Sequence, residues 1–393
     1  MKPKAVWAAL VLSLFGDPVL SLSLAHASER ATSPATVEVD ILGIFKPTQV
    51  ILRGPLTYQD SDGLERRRPW VELEATSNGM FVDGGRIMGK VTIRSEDQTI
   101  AVSVMNGRET PRIERDYRGS LTIGQRGAHL QLVAKLDLED YVAGVLASEL
   151  PSGGAEARRA QAILIRTYVL HATKRHREGD VCDLTHCQTY KADPDAPTRA
   201  LVESTRGLVL KRDGRLADVY YSSTCGGHTL DAIKAWPRGD ASAGSRGVPD
   251  RSPTGKAWCE DSPHFNWRVK VSRTELYHIL KERWPAIQHD FALTVRHDAS
   301  GWVEGVSTRA GNPSMTGEAF HLLLGRALGW GTFKSARFQM SESSDDRFHF
   351  EGQGLGHGVG LCQHGALAQA KSGRSALEIL KHYFPEWEVG PWE

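Results

Sequence analysis

The sequence predicts an α+β fold, and three observations predict it. Residues 37 to 132 alternate apolar and polar side chains in short runs separated by Gly, Asp and Asn, which is the period of half-buried strands. Capped helical patterns begin abruptly at Asp137, and beyond them strand-like and helical pieces are interleaved without a βαβ rhythm. A chain of 393 residues, 40% hydrophobic and 24% charged, has the makeup of a globular protein rather than a disordered one. A formal net charge of +1 offers no cationic excess, so no nucleic-acid partner is expected.

The elements follow in order. Lys2 and Lys4 precede the apolar run AVWAALVLSLF, and AHA ends at Ala27, so residues 1–27 are expected to be a secretory signal cleaved after Ala27, the alternative being an uncleaved anchor. No later run has transmembrane length, which places the mature chain in the periplasm, in the cell envelope or outside the cell. Residues 28–130 form a β-rich region through VEVDILGIF, TQVILRG, KVTIRS, TIAVSVM, GSLTIG and AHLQLVAKL. Residues 131–393 form the second unit. There Asp137 caps LEDYVAGVLASEL, Pro151 stops it, and AEARRAQAILIRTYVLHATKRH carries a stripe of Ala157, Ala160, Leu164, Tyr168 and His171. Strands are expected in GLVLKR, ADVYYSS, WRVKV and FALTVRH, and helices in RTELYHILKERW and EAFHLLLGRAL. Two helices close the chain, GALAQAKSG and then SALEILKHYF with Ser375 and Glu378 as a capping box.

One residue breaks the helical pattern. Leu138, Tyr141, Val142, Val145 and Leu146 lie on one face, and the next position due on that face is Glu149. A carboxylate sheltered there would have its pKa raised by desolvation, as a general acid requires near neutral pH. The competing expectation is that the last turn reaches solvent, or that Glu149 pairs with Arg158, Arg159 or Arg166.

A second anomaly is GQGLGHGVGLCQHGA. If extended, Gly352, Gly354, Gly356, Gly358 and Gly360 share one face, while Gln353, Leu355, His357 and Val359 share the other. The bare face could be a floor for a glycan chain, or the glycines could serve tight internal packing or turns at positive φ.

DYVAGVLASELP, EARRAQAILIRTYVL, YYSSTCGGHT and GQGLGHGVGLCQHGALAQAKSG with EILKHYFP occur in the order seen in the SpoIID/LytB family, which the chain resembles over residues 130 to 388. The resemblance implies a lytic transglycosylase that cuts the MurNAc–GlcNAc β-1,4 bond of peptidoglycan glycan strands and leaves 1,6-anhydro-MurNAc ends. It makes Glu149 the catalytic residue, first acid and then base. An ordinary glycosidase needs two carboxylates. A lytic enzyme can use one, because the C6 hydroxyl of the sugar replaces water. Glycan-holding roles would fall to His357 and Gln363 first, then to Gln161, Arg166, Tyr221, Ser222, Ser223 and Thr224, with Gly354, Gly356 and Gly358 as the floor. The alternative is a non-catalytic glycan-binding enhancer of a cell-wall amidase, which would have no need of Glu149. A zinc peptidase would need a HExxH-like pair, which the sequence lacks.

Five cysteines leave at least one unpaired. His176, Cys182, His186 and Cys187 resemble a zinc site of some family members, with a closed set of four ligands and therefore a structural zinc. The alternative is a Cys182–Cys187 disulfide. In the zinc reading Cys225 and Cys259 would form a disulfide and Cys362 would be the odd thiol. The family usually has serine at position 362 and an aromatic at position 364, where this chain has Cys362 and His364.

Overall fold

The computed structural model describes residues 36–392 except 107–109, 173–175, 177–178, 192, 238–244, 310 and 312. The signal expected at residues 1–27 lies outside these. The fold is α+β.

Period-two alternation becomes a nine-stranded sheet. Its strands are β1 (Thr36–Ile41), β2 (Gln49–Gln59), β3 (Glu65–Thr76), β4 (Gly79–Val82), β5 (Gly85–Ile87), β6 (Val91–Asn106), β7 (Thr110–Arg126), β8 (His129–Asp137) and β9 (Val181–Cys182). The order is β5-β4-β3-β2-β6-β7-β8-β1-β9, antiparallel except for the short parallel pair of β1 and β9. Val37, Val39 and Ile41 of β1 and Val50 and Leu52 of β2 all point inward, as alternation requires.

Asp137 ends β8 and starts the helical layer, its carboxylate accepting from Glu139 N at 2.8 Å. Helix α1 (Leu138–Glu149) follows, then α2 (Ala155–His171) and α3 (Ala196–Glu203). Next come α4 (Ala232–Ala235), α5 (Arg273–Lys281), α6 (Gly317–Leu328), α7 (Gln363–Lys371) and α8 (Ala376–Tyr383), the last opened by the expected Ser375–Glu378 capping box. Helix α2 is packed by α1 and α3 and by α7 and α8. Surrounded in this way, it buries far more than one stripe, and Gln161 and Arg166 are enclosed with its apolar residues. One hydrophobic core runs from Val37 to Trp387 through the sheet and these helices. Residues 130 and 131 both lie within β8, whose side chains belong to that core.

A smaller core gathers Trp267, Phe320, Phe333, Phe338, Phe348 and Phe350. Its sheet places the strand Arg347–Gln353 between Asn266–Ser272 and Phe338–Ser343. The middle strand runs directly into the glycine segment, so this unit delivers that segment to the larger core. The strand expected in ADVYYSS is reduced to Tyr221–Ser222, which pairs in parallel with Leu361–Cys362.

Candidate active site

Helix α1 ends at Glu149, two residues before a proline that cannot continue the ladder. The carboxylate is therefore half-buried at a helix end rather than enclosed by the apolar stripe. Its Oε1 accepts from Thr189 N at 2.7 Å. Gln363 Nε2, from the first turn of α7, donates to the Glu149 carbonyl at 3.3 Å. Tyr221 completes the surroundings. Its phenol, with Gln188 and Glu149 as polar neighbours, is pushed well above its ordinary pKa, first by burial and then by the nearby glutamate charge. The end of the first motif, the glycine motif and the tyrosine motif thus meet around Glu149.

The arginines that might have claimed Glu149 are engaged elsewhere. Arg158 donates to Thr198 Oγ1 at 2.6 Å, Arg159 pairs with Glu156, and Arg166 holds Glu139 through two bonds, Nε to Oε1 at 2.9 Å and Nη2 to Oε2 at 2.5 Å. The neighbouring acids are also consumed, Asp140 by Arg199 and Glu139 by Arg166. Arg166 is fully buried, and its Nη1 donates to the Leu208 carbonyl at 2.9 Å. Its guanidinium is taken up inside the core by Glu139 and the Leu208 carbonyl.

The glycine segment is not extended. Gly354, Gly356, Gly358 and Gly360 have φ of 88°, 98°, 72° and 74°, left-handed values that glycine alone adopts readily. The chain itself fills the face they leave bare. A Cβ at Gly354 would strike the Thr224 carbonyl, one at Gly360 the Tyr220 carbonyl, and one at Gly358 would enter the Trp302 indole. At Gly356 the neighbour is Ser222 Cβ, at 3.2 Å. The expected glycan floor is therefore a packing surface that lets the YYSSTC strand lie against the segment, with bridges Thr224–Leu355 and Leu230–Val359.

His357 packs edge-on to Tyr220 and at a tilt to Trp236, with ring centroids 6.2 and 5.2 Å away. Its Nδ1 accepts from Val359 N at 3.1 Å, and the backbone of Tyr221 is a second hydrogen-bond partner. These two bonds assign the neutral tautomer protonated at Nε2. Burial keeps the imidazole below its ordinary 6.5. His357 thus ties the glycine segment to the tyrosine strand. Ser222 is buried with no partner for its hydroxyl among the described residues, and the Ser223 carbonyl accepts from His364 N at 3.0 Å. Gln161 is fully buried, its amide likewise without a partner among the described residues.

His176, Cys182, His186 and Cys187 come together, their donor atoms all within 4.8 Å of one another. His176 Nε2 lies 3.0 Å from Cys187 Sγ, and His186 Nδ1 lies 3.6 Å from Cys187 Sγ and 3.9 Å from Cys182 Sγ. The alternative Cys182–Cys187 disulfide is not formed. The expected Cys225–Cys259 disulfide is not formed either, the sulfurs being 3.8 Å apart. The first set stands immediately before Gln188 and Thr189. Gln188 accepts from Tyr141 OH at 3.0 Å, and Thr189 holds Glu149. Neither of these two residues was singled out from the sequence. Their only signal was the position after HC in HCQT.

A concavity of about 720 Å³ lies away from Glu149, lined by Asn266, Trp267, Arg337, Gln339 and Gln353 among others. The one carboxylate in its walls, Glu351, is paired with Arg268 at 3.2 Å. The convergence at Glu149, which has no such ion-paired acid, has more chemical content than this hollow.

Residues 126–211 match the family model SpoIID, Stage II sporulation protein. That span holds Glu149, Thr189 and the His176–Cys187 set. Over a longer stretch the chain is 26% identical to Stage II sporulation protein D of Bacillus subtilis across 285 residues, covering 66% of this chain and 76% of that protein. It is 27% identical to an uncharacterised protein of Brachyspira hyodysenteriae across 275 residues, 68% and 71% of the two chains. It is 26% identical to the Amidase enhancer of Bacillus subtilis across 292 residues, 62% of this chain and 39% of that protein. The match over the Glu149 region and the likeness over two thirds of the chain make this protein a relative of the SpoIID family.

Proposed function

We propose that the protein is a peptidoglycan lytic transglycosylase of the cell envelope, acting on denuded glycan strands with Glu149 as acid and then base. The observation that carries this reading is that the Glu149 carboxylate is held by Thr189 N and its main-chain carbonyl by Gln363 of the glycine motif, while its neighbours Glu139 and Asp140 are spent in ion pairs. A carboxylate fixed in place without a cationic partner can take up and release a proton.

In this reading Glu149 protonates the glycosidic oxygen as the C1–O bond of MurNAc breaks. It then takes the proton from the C6 hydroxyl of the same sugar as that oxygen bonds to C1, so the 1,6-anhydro ring closes and no water is consumed. Thr189 N keeps the carboxylate in one orientation, and Gln363 fixes the end of the helix that carries it. The Tyr221 phenol, which stays protonated, supplies a donor beside the developing charge. The two imidazoles and two thiols of His176, His186, Cys182 and Cys187 suit a tetrahedral zinc. Zinc there would be structural, stiffening the loop that presents Thr189.

The likeness to a protein named Amidase enhancer supports a second reading, in which the glycan is bound but not cut and an amidase is the partner. Incubation of glycan strands stripped of stem peptides with the wild type and with Glu149→Gln separates the two. Anhydro-muramyl ends released by the wild type alone support the lytic enzyme. Binding by both without cleavage would favour the enhancer.

A further inference from the structure

Cys225, Asp250, Cys259 and Cys362 come from three parts of the chain and meet in its interior. Cys225 lies three residues beyond the short Tyr221–Ser222 strand, Asp250 and Cys259 lie in the loops after α4, and Cys362 caps α7. All four are fully buried, and their donor atoms lie within 4.8 Å of one another. Cys225 Sγ is 3.8 Å from Cys259 Sγ and 3.2 Å from Asp250 Oδ2. Two thiolates bound at about 2.3 Å to one tetrahedral zinc lie roughly 3.8 Å apart. The sulfurs of Cys225 and Cys259 already have that separation.

Hydrogen-bond donors converge on the cluster. The amides of Cys225 and Gly365 point at Cys362 Sγ, each at 3.3 Å, and those of Gly226 and Gly227 point at Cys259. Asp250 Oδ1 accepts from Tyr383 OH at 2.7 Å and has His382 Nε2 at 3.5 Å, which turns Oδ2 toward the sulfurs. The nearby guanidinium of Arg337 donates to the carbonyls of Cys225 and Gly226. A buried carboxylate among buried sulfurs is expensive unless a cation joins them.

We propose that Cys225, Asp250, Cys259 and Cys362 form a second, closed zinc site, distinct from the histidine-containing set. Three thiolates and a carboxylate complete a tetrahedron and leave no position for water, so the ion is structural. It ties the YYSSTC strand, the Asp250–Cys259 loop and the start of α7 together. The residue after Cys362 is Gln363, so the ion also sets the position of the amide that holds Glu149. The site stands whether or not the protein cuts glycan.

Zinc counted by elemental analysis on the purified chain tests this, with His176→Ala/His186→Ala to empty the first set and Cys259→Ser to break the second. Two ions in the wild type, one lost with each variant, is the expected result. A single ion lost with the double histidine variant and kept in Cys259→Ser would overturn the proposal. A Cys225–Cys259 disulfide found by non-reducing peptide mapping of the wild type would overturn it as well. If Cys259→Ser fails to fold, cobalt loading of Cys182→Ser/Cys187→Ser, which removes both thiols of the first set, decides: a thiolate-to-cobalt charge-transfer band supports the site, and its absence refutes it.

Discussion

Gln363 Nε2 donates to the Glu149 carbonyl at 3.3 Å, joining helices α7 and α1 across 214 residues of sequence. The bond fixes the end of the helix that carries the proposed acid. Gln363→Ala should cost only about 1 kcal/mol of stability, the net worth of one such bond. Glycan cleavage should fall much further, up to about 100-fold, because misplacing a reacting group is penalised more than losing a contact. Denaturant melts and product release on the same preparation check both halves.

Arg166 predicts the opposite pattern. Arg166→Met leaves Glu139 buried without its cation and should destabilise the fold by about 3–5 kcal/mol, while Arg166→Met/Glu139→Leu should recover most of the loss. Cleavage per folded molecule should be unchanged in the double variant. A stable but inactive double variant would instead give Arg166 a place at the substrate.

The glycine segment predicts a ranking. Gly358→Ala forces a side chain to φ of 72° and into the Trp302 ring, a backbone cost of about 1–3 kcal/mol with overpacking added. Gly356→Ala meets only Ser222 Cβ, at 3.2 Å, and should lose less. Thermal melts of the pair establish the order.

Burial holds His357 below its ordinary 6.5, and does the same first and foremost for His264 and His364. Above that value both folded and unfolded imidazoles are neutral and contribute nothing. Below it the unfolded chain takes up protons first, so stability should fall as pH drops through the 6.5 of the unfolded state toward the lower folded value. His357→Gln should flatten part of that slope, leaving the share of the other two. Melting temperatures across this pH range, compared between variant and wild type, provide the check.

What the sequence revealed was local. The Asp137 cap, the Ser375–Glu378 box and the alternation of β1 and β2 depend on near neighbours, and all formed as read. The glycine segment misled because a period of two has two causes. Extended backbone places alternate residues on one face, but alternate left-handed glycines give the same spacing while the chain turns. Only the packing partners, Tyr220, Thr224 and Trp302, separate these cases, and nothing near the segment names them. Asp250 was invisible for a similar reason. An aspartate in a loop has no periodicity, and its meaning comes from three cysteines brought to it by the fold.

The central claim is that one glutamate serves as both acid and base, with a sugar hydroxyl in place of water. Cleavage in water enriched in heavy oxygen, followed by mass spectrometry of the new muramyl ends, tests it most directly. The account predicts ends that carry no heavy oxygen and are lighter than a hydrolysed end by one water. Ends that incorporate the label would show that water attacks C1, and would contradict it.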